Sequence, residues 1–284
     1  MSGSESRYID KQPRPVRCGR LFCAGGQNLE ALLQQSGPAR ACWERQVREE
    51  LPRFIPFLTR KCGLEFYGRL LEIGAGGCWF SAELSKLPRV VEVVATDCSA
   101  RLLKELAPRV FKLLDARESK ITRVPADFHR LDFPANHFDY VVCSAALHQA
   151  LNVVTVLREA HRVLRPGGRF VAIREPVWPL LRFRTRRSAD SSAAVEPDKP
   201  GYTLDDYRQF FEQAGFGLVA KRVNLSSGFK YYFNEVVNGL THARYVFVAT
   251  KPPTKVPARR PERISRATPV NSASPAGRCL TGRS

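Results

Sequence analysis

The sequence lacks several features that would place the chain in a specialised class of protein. Its eight cysteines include no pair at the two-residue spacing typical of a zinc knuckle or a redox motif. Met1–Arg20 has no apolar core of a secretory signal, and no apolar run approaches the roughly 20 residues of a membrane-spanning helix. Scattered thiols are typical of a reducing compartment. We therefore predict a cytoplasmic protein with no metal site and no transmembrane segment.

Acidic residues are also scarce, since 27 Asp and Glu face 45 Lys and Arg and leave a formal charge of +18. A field of this sign attracts nucleic acids, acidic membranes or anionic small molecules. Much of the excess lies at the two ends of the chain and in the run Arg182, Arg184, Arg186 and Arg187. Because basic ends are more often solvated tails than recognition surfaces, nucleic-acid binding is possible but not favoured.

Composition divides the chain into three parts. Residues 1–40 are basic, rich in Gly, Pro and Ser, and predicted to be irregular, whereas residues 252–284 form a Pro-, Arg- and Ser-rich tail that we expect to be disordered. Between them, residues 41–251 are predicted to form one domain. It begins with a helical cap over 41–62 and contains an insertion or lid at 176–200, where apolar and basic residues mix.

The central part alternates short apolar runs with amphipathic stretches, which predicts strands and helices in turn. Strands are predicted at Arg69–Ile73, Val90–Thr96, Ile121–Ala126, Phe138–Cys143, Phe170–Ile173, Gly217–Val223 and Ala243–Ala249. Helices are predicted at Trp79–Leu87, Ser99–Leu114, Val153–Leu164 and Thr203–Ala214. This alternation indicates an α/β fold with a mostly parallel sheet and helices on both faces.

Ligands of open α/β sheets bind at the carboxyl ends of the strands, and three features fall there. Glycines 74, 76 and 77 follow the first predicted strand and permit close approach of the backbone to a ligand. Asp97 ends the second strand, at the offset expected of a ribose-binding acid. Asp127 and Phe128 follow the third and offer an acceptor and an apolar wall to an adenine. Each feature alone also suits an ordinary turn or cap, but together they favour an adenosine-type ligand.

A nicotinamide dinucleotide is disfavoured as that ligand. The third position of the G-x-G-x-x-G pattern carries Trp79 instead of glycine, and its bulk opposes the close packing of helix on strand that the pattern needs. The sequence also has no phosphate loop of the G-x-x-x-x-G-K-[ST] type.

Five segments in order carry a family resemblance. They are Leu71-Glu72-Ile73-Gly74-Ala75-Gly76-Gly77, Ala95-Thr96-Asp97, Ala126-Asp127, Phe138-Asp139-Tyr140-Val141-Val142 and Arg162-Val163-Leu164-Arg165-Pro166-Gly167-Gly168. In this order the chain resembles the class I S-adenosylmethionine-dependent methyltransferases over roughly residues 43–251. It is most similar to the ubiquinone/menaquinone-biosynthesis-like group (methyltransferase type 11), which acts mainly on small molecules. The resemblance implies a Rossmann-like, seven-stranded sheet whose last strand is antiparallel.

The resemblance also implies a set of S-adenosylmethionine-binding residues. Those expected to hold the methionine part are Glu72, Gly74, Ala75, Gly76 and Gly77; those expected at the ribose and adenine are Asp97, Cys98, Asp127 and Phe128; and Ser144 would face the sulfonium. The segment after the fourth strand departs from the family, because Ser144-Ala145-Ala146-Leu147-His148 replaces the polar or aromatic pair frequent there. It is also unlike the Asn-Pro-Pro-Tyr segment of enzymes that methylate an amino group of a base or a glutamine.

The resulting hypothesis is an enzyme that methylates a small molecule such as a secondary metabolite, quinone, sugar or lipid. We predict His148 as general base, because it follows the strand near which the methyl group should point, with Glu175 as a second candidate. The acceptor is expected to be anionic or lipid-like, because the insertion mixes apolar and basic residues. An RNA or protein methyltransferase and a non-catalytic scaffold are the alternatives.

Overall fold

The computed structural model of the chain describes residues 6–10, 37–178, 202–225 and 244–253, all within one compact unit, Met1–Pro253. The arginine run at 182–187, most of the predicted insertion and nearly all of the predicted tail lie outside the described residues.

One sheet of eight strands organises the described part of the chain. The strands are β1 (Arg7–Tyr8), β2 (Gly68–Ile73), β3 (Val90–Asp97), β4 (Ile121–Pro125), β5 (Phe138–Ser144), β6 (Leu164–Pro176), β7 (Gly217–Arg222) and β8 (Arg244–Thr250). Their order is β1-β4-β3-β2-β5-β6-β8-β7. Neighbours from β1 to β6 pair in parallel, whereas β8 runs antiparallel to both β6 and β7. The mostly parallel sheet with an antiparallel last strand is confirmed, with one strand more than predicted.

The additional strand is β1, which lies in the segment predicted to be irregular. It pairs with β4, and the buried Arg123 of β4 contacts the segment that contains it. The guanidinium donates from Nη1 to the Leu103 carbonyl (2.6 Å) and from Nη2 to the Ser6 carbonyl (3.2 Å), and lies 5.7 Å from the Tyr8 ring centre. Two residues are too few to show the period of a strand, so pattern analysis does not detect β1.

Helices cover the sheet on both faces, as predicted. They are α1 (Pro38–Arg45), which continues through helical turns at Gln46–Glu50, Leu51–Arg53, Phe54–Pro56 and Phe57–Lys61; α2 (Trp79–Ser85); a π-helical turn at Leu102–Leu106 leading into α3 (Ala107–Leu114); α4 (Val153–Val163); and α5 (Leu204–Gln213). Short 3-10 turns lie at Glu118–Lys120 and Leu147–Gln149. None of the helices in the described ranges is long and apolar enough to cross a membrane.

Successive strand residues point to opposite faces and so divide the core into two clusters. In β2, Leu70 joins the cluster under α1, α2 and α3, while Leu71 joins the one under α4 and α5. In β5, Val142 and Val141 divide in the same way. A strand buried on both faces has a nearly continuous apolar run, which is why these strands are recognisable in the sequence.

Strand β6 differs from its prediction. It extends over Leu164–Pro176, so the Arg165-Pro166-Gly167-Gly168 segment, which lies between the predicted helix and the predicted strand, belongs to the strand. At Gly168 a β-carbon would lie 2.8 Å from the Arg165 carbonyl oxygen and 3.1 Å from that of Asp139. This crowding requires glycine at the point where β6 passes closest to the backbone of β5.

Candidate active site

The loop after β2 passes very close to its neighbours at the carboxyl edge of the sheet. Gly74 and Gly76 adopt positive φ angles of 62° and 51°, and Ala75 donates its N–H to the Thr96 carbonyl of β3 (2.9 Å). A β-carbon on Gly74 would lie 2.7 Å from that of Ala146 in the loop after β5. Glycine is therefore required here both for backbone conformation and for space.

Asp97 at the end of β3 ties this loop to the next helical segment. Its carboxylate is only 3% exposed; Oδ2 accepts from the Gly76 N–H (2.7 Å) and Oδ1 from the Ser99 N–H (2.8 Å). The Asp97 carbonyl accepts from the N–H of Ala126 at the end of β4 (3.0 Å). The residue thus caps the Ser99 segment and also fixes the glycine loop. The loops after β2, β3 and β4 consequently form one connected edge.

Glu72 lies beneath the glycine loop and is almost completely buried. Its Oε2 accepts from both the backbone N–H (2.8 Å) and the hydroxyl of Ser81 in α2. Its Oε1 is buried without a hydrogen-bond partner among the described residues. Burial, opposed by the Ser81 hydrogen bonds and reinforced by the charge of Asp97, raises the pKa of Glu72 to about 8. An unpaired buried oxygen on an acid of raised pKa is typical of a site that meets a cationic or donor group.

Glu72 is expected to make the protein less stable as the pH rises. Its pKa moves from 4.5 in an unpaired glutamate to about 8 in the fold, so between these values unfolding releases a proton and higher pH favours unfolding. We expect the free energy of unfolding to fall by about 2–4 kcal/mol more in the wild type than in Glu72→Gln between pH 5 and pH 8. Urea titrations at three pH values in this window measure the difference, and parallel pH profiles of the two proteins would contradict it.

Asp127, after β4, is held by a histidine that pattern analysis did not single out. Asp127 Oδ1 accepts from the His129 N–H (2.9 Å) and contacts the ring Nδ1 (2.8 Å). His129 Nε2 accepts the N–H of Leu151 (3.2 Å). Since Nε2 is an acceptor, the hydrogen-bond network assigns the ring proton to Nδ1, which donates it to Asp127. Phe128 stacks on this ring at 4.8 Å, so aspartate, phenyl and imidazole form one ordered group.

The turn after β5 is organised by a fully buried carboxylate, Glu175 of β6. Its Oε1 accepts from the N–H groups of Ala146 (2.8 Å) and Leu147 (3.0 Å). Its Oε2 accepts from the N–H of His148 (3.2 Å) and lies 2.9 Å from the ring Nδ1 of the same residue. Because Oε2 is an acceptor, Nδ1 carries the proton in this contact and Nε2 points away from it. Glu175, predicted as a second candidate base, therefore positions His148 instead of facing an acceptor itself.

A β-bulge directs Glu175 toward this turn. In the β6–β8 pairing Ile173 faces Val246 and Glu175 faces Tyr245, so Arg174 is left out of the ladder and adopts a φ of 61°. A bulge of this kind bends a strand and changes the direction of the next side chain. The displaced Arg174 places Nη1 3.5 Å from the hydroxyl of Ser144. Arg174 thereby connects β6 to Ser144, and Glu175 connects it to His148 in the turn after β5.

The cysteines near the site are not nucleophiles. Burial raises the pKa of Cys78 and of Cys143 well above that of an ordinary thiol, so both are protonated at neutral pH. Cys98, predicted beside the adenine, is disulfide-bonded, which differs from the prediction that the thiols are reduced. Cys42, Cys62, Cys78 and Cys143 are free.

The structure brings the loops that carry the predicted site residues to one edge. These residues are Glu72, Gly74, Ala75, Gly76, Gly77, Asp97, Cys98, Asp127, Phe128, Ser144 and His148, and they lie at or after the carboxyl ends of β2, β3, β4 and β5. Sequence reasoning missed Ser81, His129 and the positioning role of Glu175. The Glu72 oxygen that has no hydrogen-bond partner among the described residues, with the carboxylate of Asp97 at the same edge, fits a ligand with an ammonium group and vicinal hydroxyls, as S-adenosylmethionine has.

Comparison with known proteins agrees with this geometry. A family described as "Methyltransferase domain" matches residues 71–172. Ubiquinone/menaquinone biosynthesis C-methyltransferase UbiE of Pseudomonas aeruginosa is 34% identical over 119 residues, which are 41% of this chain and 45% of the relative. An uncharacterized methyltransferase of Schizosaccharomyces pombe is 28% identical over 197 residues, which are 61% of this chain and 70% of the relative. The chain spans about half the length of the UbiE relatives it matches.

Solved structures share the fold at low sequence identity. An S-adenosylmethionine-dependent methyltransferase from Mesorhizobium loti superposes with a TM-score of 0.52 at 20% identity, covering 69% of this chain and 97% of that one. Phosphoethanolamine N-methyltransferase 2 of Haemonchus contortus, with S-adenosyl-L-methionine, superposes with a TM-score of 0.54 at 15% identity, covering 79% and 60%. Residues 71–172 thus match a methyltransferase family, and the chain shares the fold of S-adenosylmethionine-dependent methyltransferases. The predicted fold is confirmed, and the predicted family resemblance is confirmed over residues 71–172. The predicted cofactor is the ligand of the Haemonchus contortus structure.

Proposed function

We propose that the chain transfers a methyl group from S-adenosylmethionine to a small-molecule acceptor, with His148 as the general base. The observation that carries the proposal is the contact between two loops. A β-carbon on Gly74 of the cofactor loop would lie 2.7 Å from that of Ala146, two residues before His148 in a turn fixed by Glu175. A base held beside the cofactor loop is the arrangement that methyl transfer to a hydroxyl or a protonated amine needs.

The cofactor would be held by the residues that the carboxyl edge already orders. Glu72 Oε1 suits the ammonium group of the methionine part. Asp97 suits the ribose hydroxyls, because its carboxylate lies at the end of β3, directly beside the glycine loop. Asp127 Oδ2, left free by His129 on Oδ1, suits the adenine amino group, with Phe128 beside the ring. When bound, S-adenosylmethionine supplies an activated methyl group, so the protein need only orient the acceptor and exclude water.

Proton removal is assigned to His148. Its Nδ1 donates to a carboxylate that is inaccessible to solvent, whereas its side chain is 30% exposed. The free Nε2 is the atom that would accept the proton of the acceptor as the new bond to carbon forms. The three backbone N–H groups around Glu175 keep that carboxylate fixed, so the imidazole is held in one tautomer and one orientation.

A small molecule is the proposed acceptor class, in agreement with the UbiE relatives, which are named as ubiquinone/menaquinone biosynthesis C-methyltransferases. Cofactor specificity and acceptor class can be tested together. Calorimetry should give micromolar binding of S-adenosylmethionine and S-adenosylhomocysteine and none of NAD. The purified protein with methyl-tritiated cofactor should then label the acid-soluble fraction of a cell extract.

The fraction that carries the label decides between the alternatives. Label confined to precipitated RNA or protein would overturn the small-molecule proposal and leave the methyltransferase intact. Absence of cofactor binding would overturn both and favour a scaffold. The His148→Ala variant, which leaves every proposed cofactor contact in place, should bind the cofactor within threefold of wild type and label nothing.

A further inference from the structure

A basic cleft lies between the helical N-terminal run and α3. It has a volume of about 430 Å³, in the range of pockets that hold small organic ligands. One wall comes from residues 40–48 and the other from residues 106–113. The cleft shares no residue with the proposed cofactor and base set, so its capacity to bind a ligand is independent of the proposed function.

Positive charge dominates the rim of the cleft. Arg40 is paired with Glu44 at 2.9 Å, which leaves Arg48, Arg109 and Lys112 without a carboxylate partner in the described part of the chain. Arg109 and Lys112 are three residues apart on α3 and therefore share a face, while Arg48 approaches from the opposite wall. Three unpaired cations around one cavity repel one another, and an anion between them relieves that repulsion.

The floor of the cleft is apolar. Trp43 and Leu106 are recessed, at 8% and 3% exposure, and Leu113 is half-buried above them. A membrane-binding surface would need apolar side chains that protrude, and a nucleic-acid surface would need cations in an extended track. A recessed apolar floor below a cationic rim instead matches a compact ligand with one anionic head and an apolar body.

We infer that this cleft is a second binding site, for a small organic phosphate whose head lies between Arg48, Arg109 and Lys112 and whose apolar body rests on Trp43 and Leu106. Guanidinium groups bind phosphate oxygens in pairs, so two arginines and one lysine suit a phosphate dianion. Leu106 also lies against the cofactor loop, since a β-carbon on Gly77 would be 3.3 Å from Leu106 Cδ2. Leu106 thus lines the cleft and also lies beside the proposed cofactor loop.

Phenyl phosphate is the probe for this site. Its binding is measured by calorimetry and by the change in tryptophan fluorescence, and the Trp43→Phe variant shows which part of that change comes from Trp43. We expect it to bind at least tenfold more tightly than inorganic phosphate or phenol, because each of these supplies only half of the recognised chemistry. The Arg109→Gln/Lys112→Gln variant should weaken binding at least tenfold. The matched control is Arg101→Gln/Lys104→Gln, which removes the same charge about two turns earlier, where both side chains are paired with acids.

The comparison of variants decides the outcome. Equal weakening by both double variants would mean attraction by net charge alone and would overturn the site. Phenyl phosphate binding no better than phenol would do the same. A single-stranded RNA or phosphatidylglycerol vesicles captured through Arg109 and Lys112, with phenyl phosphate ignored, would reassign the cleft to a macromolecular surface.

Discussion

Replacing Asp97 with alanine is expected to weaken S-adenosylhomocysteine binding by about 100-fold or more. Two charge-assisted hydrogen bonds to the ribose would be lost, each of about 1.5–3 kcal/mol, and every 1.4 kcal/mol is roughly tenfold in affinity. The same change leaves the N–H groups of Gly76 and Ser99 without their acceptors. The glycine loop would then lose the contact that fixes it before the ligand arrives. Calorimetry measures the affinity and urea unfolding measures the accompanying loss of stability.

A surface aspartate and a modified ligand separate recognition from folding. Asp205→Ala removes an exposed carboxylate whose partner is Arg208, and should change affinity and stability very little. If Asp97→Ala does not fold, the wild type can be titrated with 2′,3′-dideoxy-S-adenosylhomocysteine, for which a similar loss of affinity is expected. An affinity within threefold of normal in either experiment would remove Asp97 from the ribose site and leave it as a structural cap.

The architecture was predictable because its central strands are buried on both faces. Leu70 and Leu71, or Val141 and Val142, face different clusters, and the sequence records this as uninterrupted apolar runs. Strand β1 was not predictable, because its two residues are ordered by Arg123, which lies more than a hundred positions away. The extension of β6 was missed for another reason: Pro166 and Gly167 are typical turn residues, yet Gly167 pairs its N–H with the carbonyl of Lys251.

The position of the site could be predicted from the sequence, but the hydrogen bonds that hold its residues in place could not. The spacing of Asp97 from the glycines predicts its place at the edge of the sheet, and the structure adds that it binds one of those glycines directly. Glu175 could not be assigned its role, since nothing in the pattern indicates the bulge at Arg174 that directs it toward His148. The hydrogen bond from the Leu151 N–H to His129 is likewise not indicated by any sequence pattern. Supporting contacts of this kind depend on tertiary geometry and leave no local period.

Glu175→Gln is expected to destabilise the protein by about 2–4 kcal/mol although the two side chains have the same shape. The carboxylate accepts hydrogen bonds on both oxygens, from Ala146 and Leu147 on one and from His148 on the other. An amide has a single oxygen, so its NH2 group must face one of these two sets of donors. Two buried N–H groups, or the backbone and ring of His148, then lose their acceptor. Urea unfolding measures the change, with Glu65→Gln at an exposed ion pair as the control, expected within about 0.5 kcal/mol of wild type.

His148→Ala distinguishes a structural turn from a catalytic pair. It removes only the ring donor and retains the three backbone N–H groups on Glu175, so a destabilisation below about 1.5 kcal/mol is expected. Methyl transfer should nevertheless fall by about 100-fold or more, the usual contribution of a general base. If Glu175 contributes to turnover only by positioning the imidazole, the His148→Ala/Glu175→Gln variant should lose little more turnover than His148→Ala alone, because the two residues then serve one step. Full turnover in His148→Ala, with Glu175→Gln still destabilised, would mean that the buried carboxylate exists to hold the turn and that the proton leaves by another route.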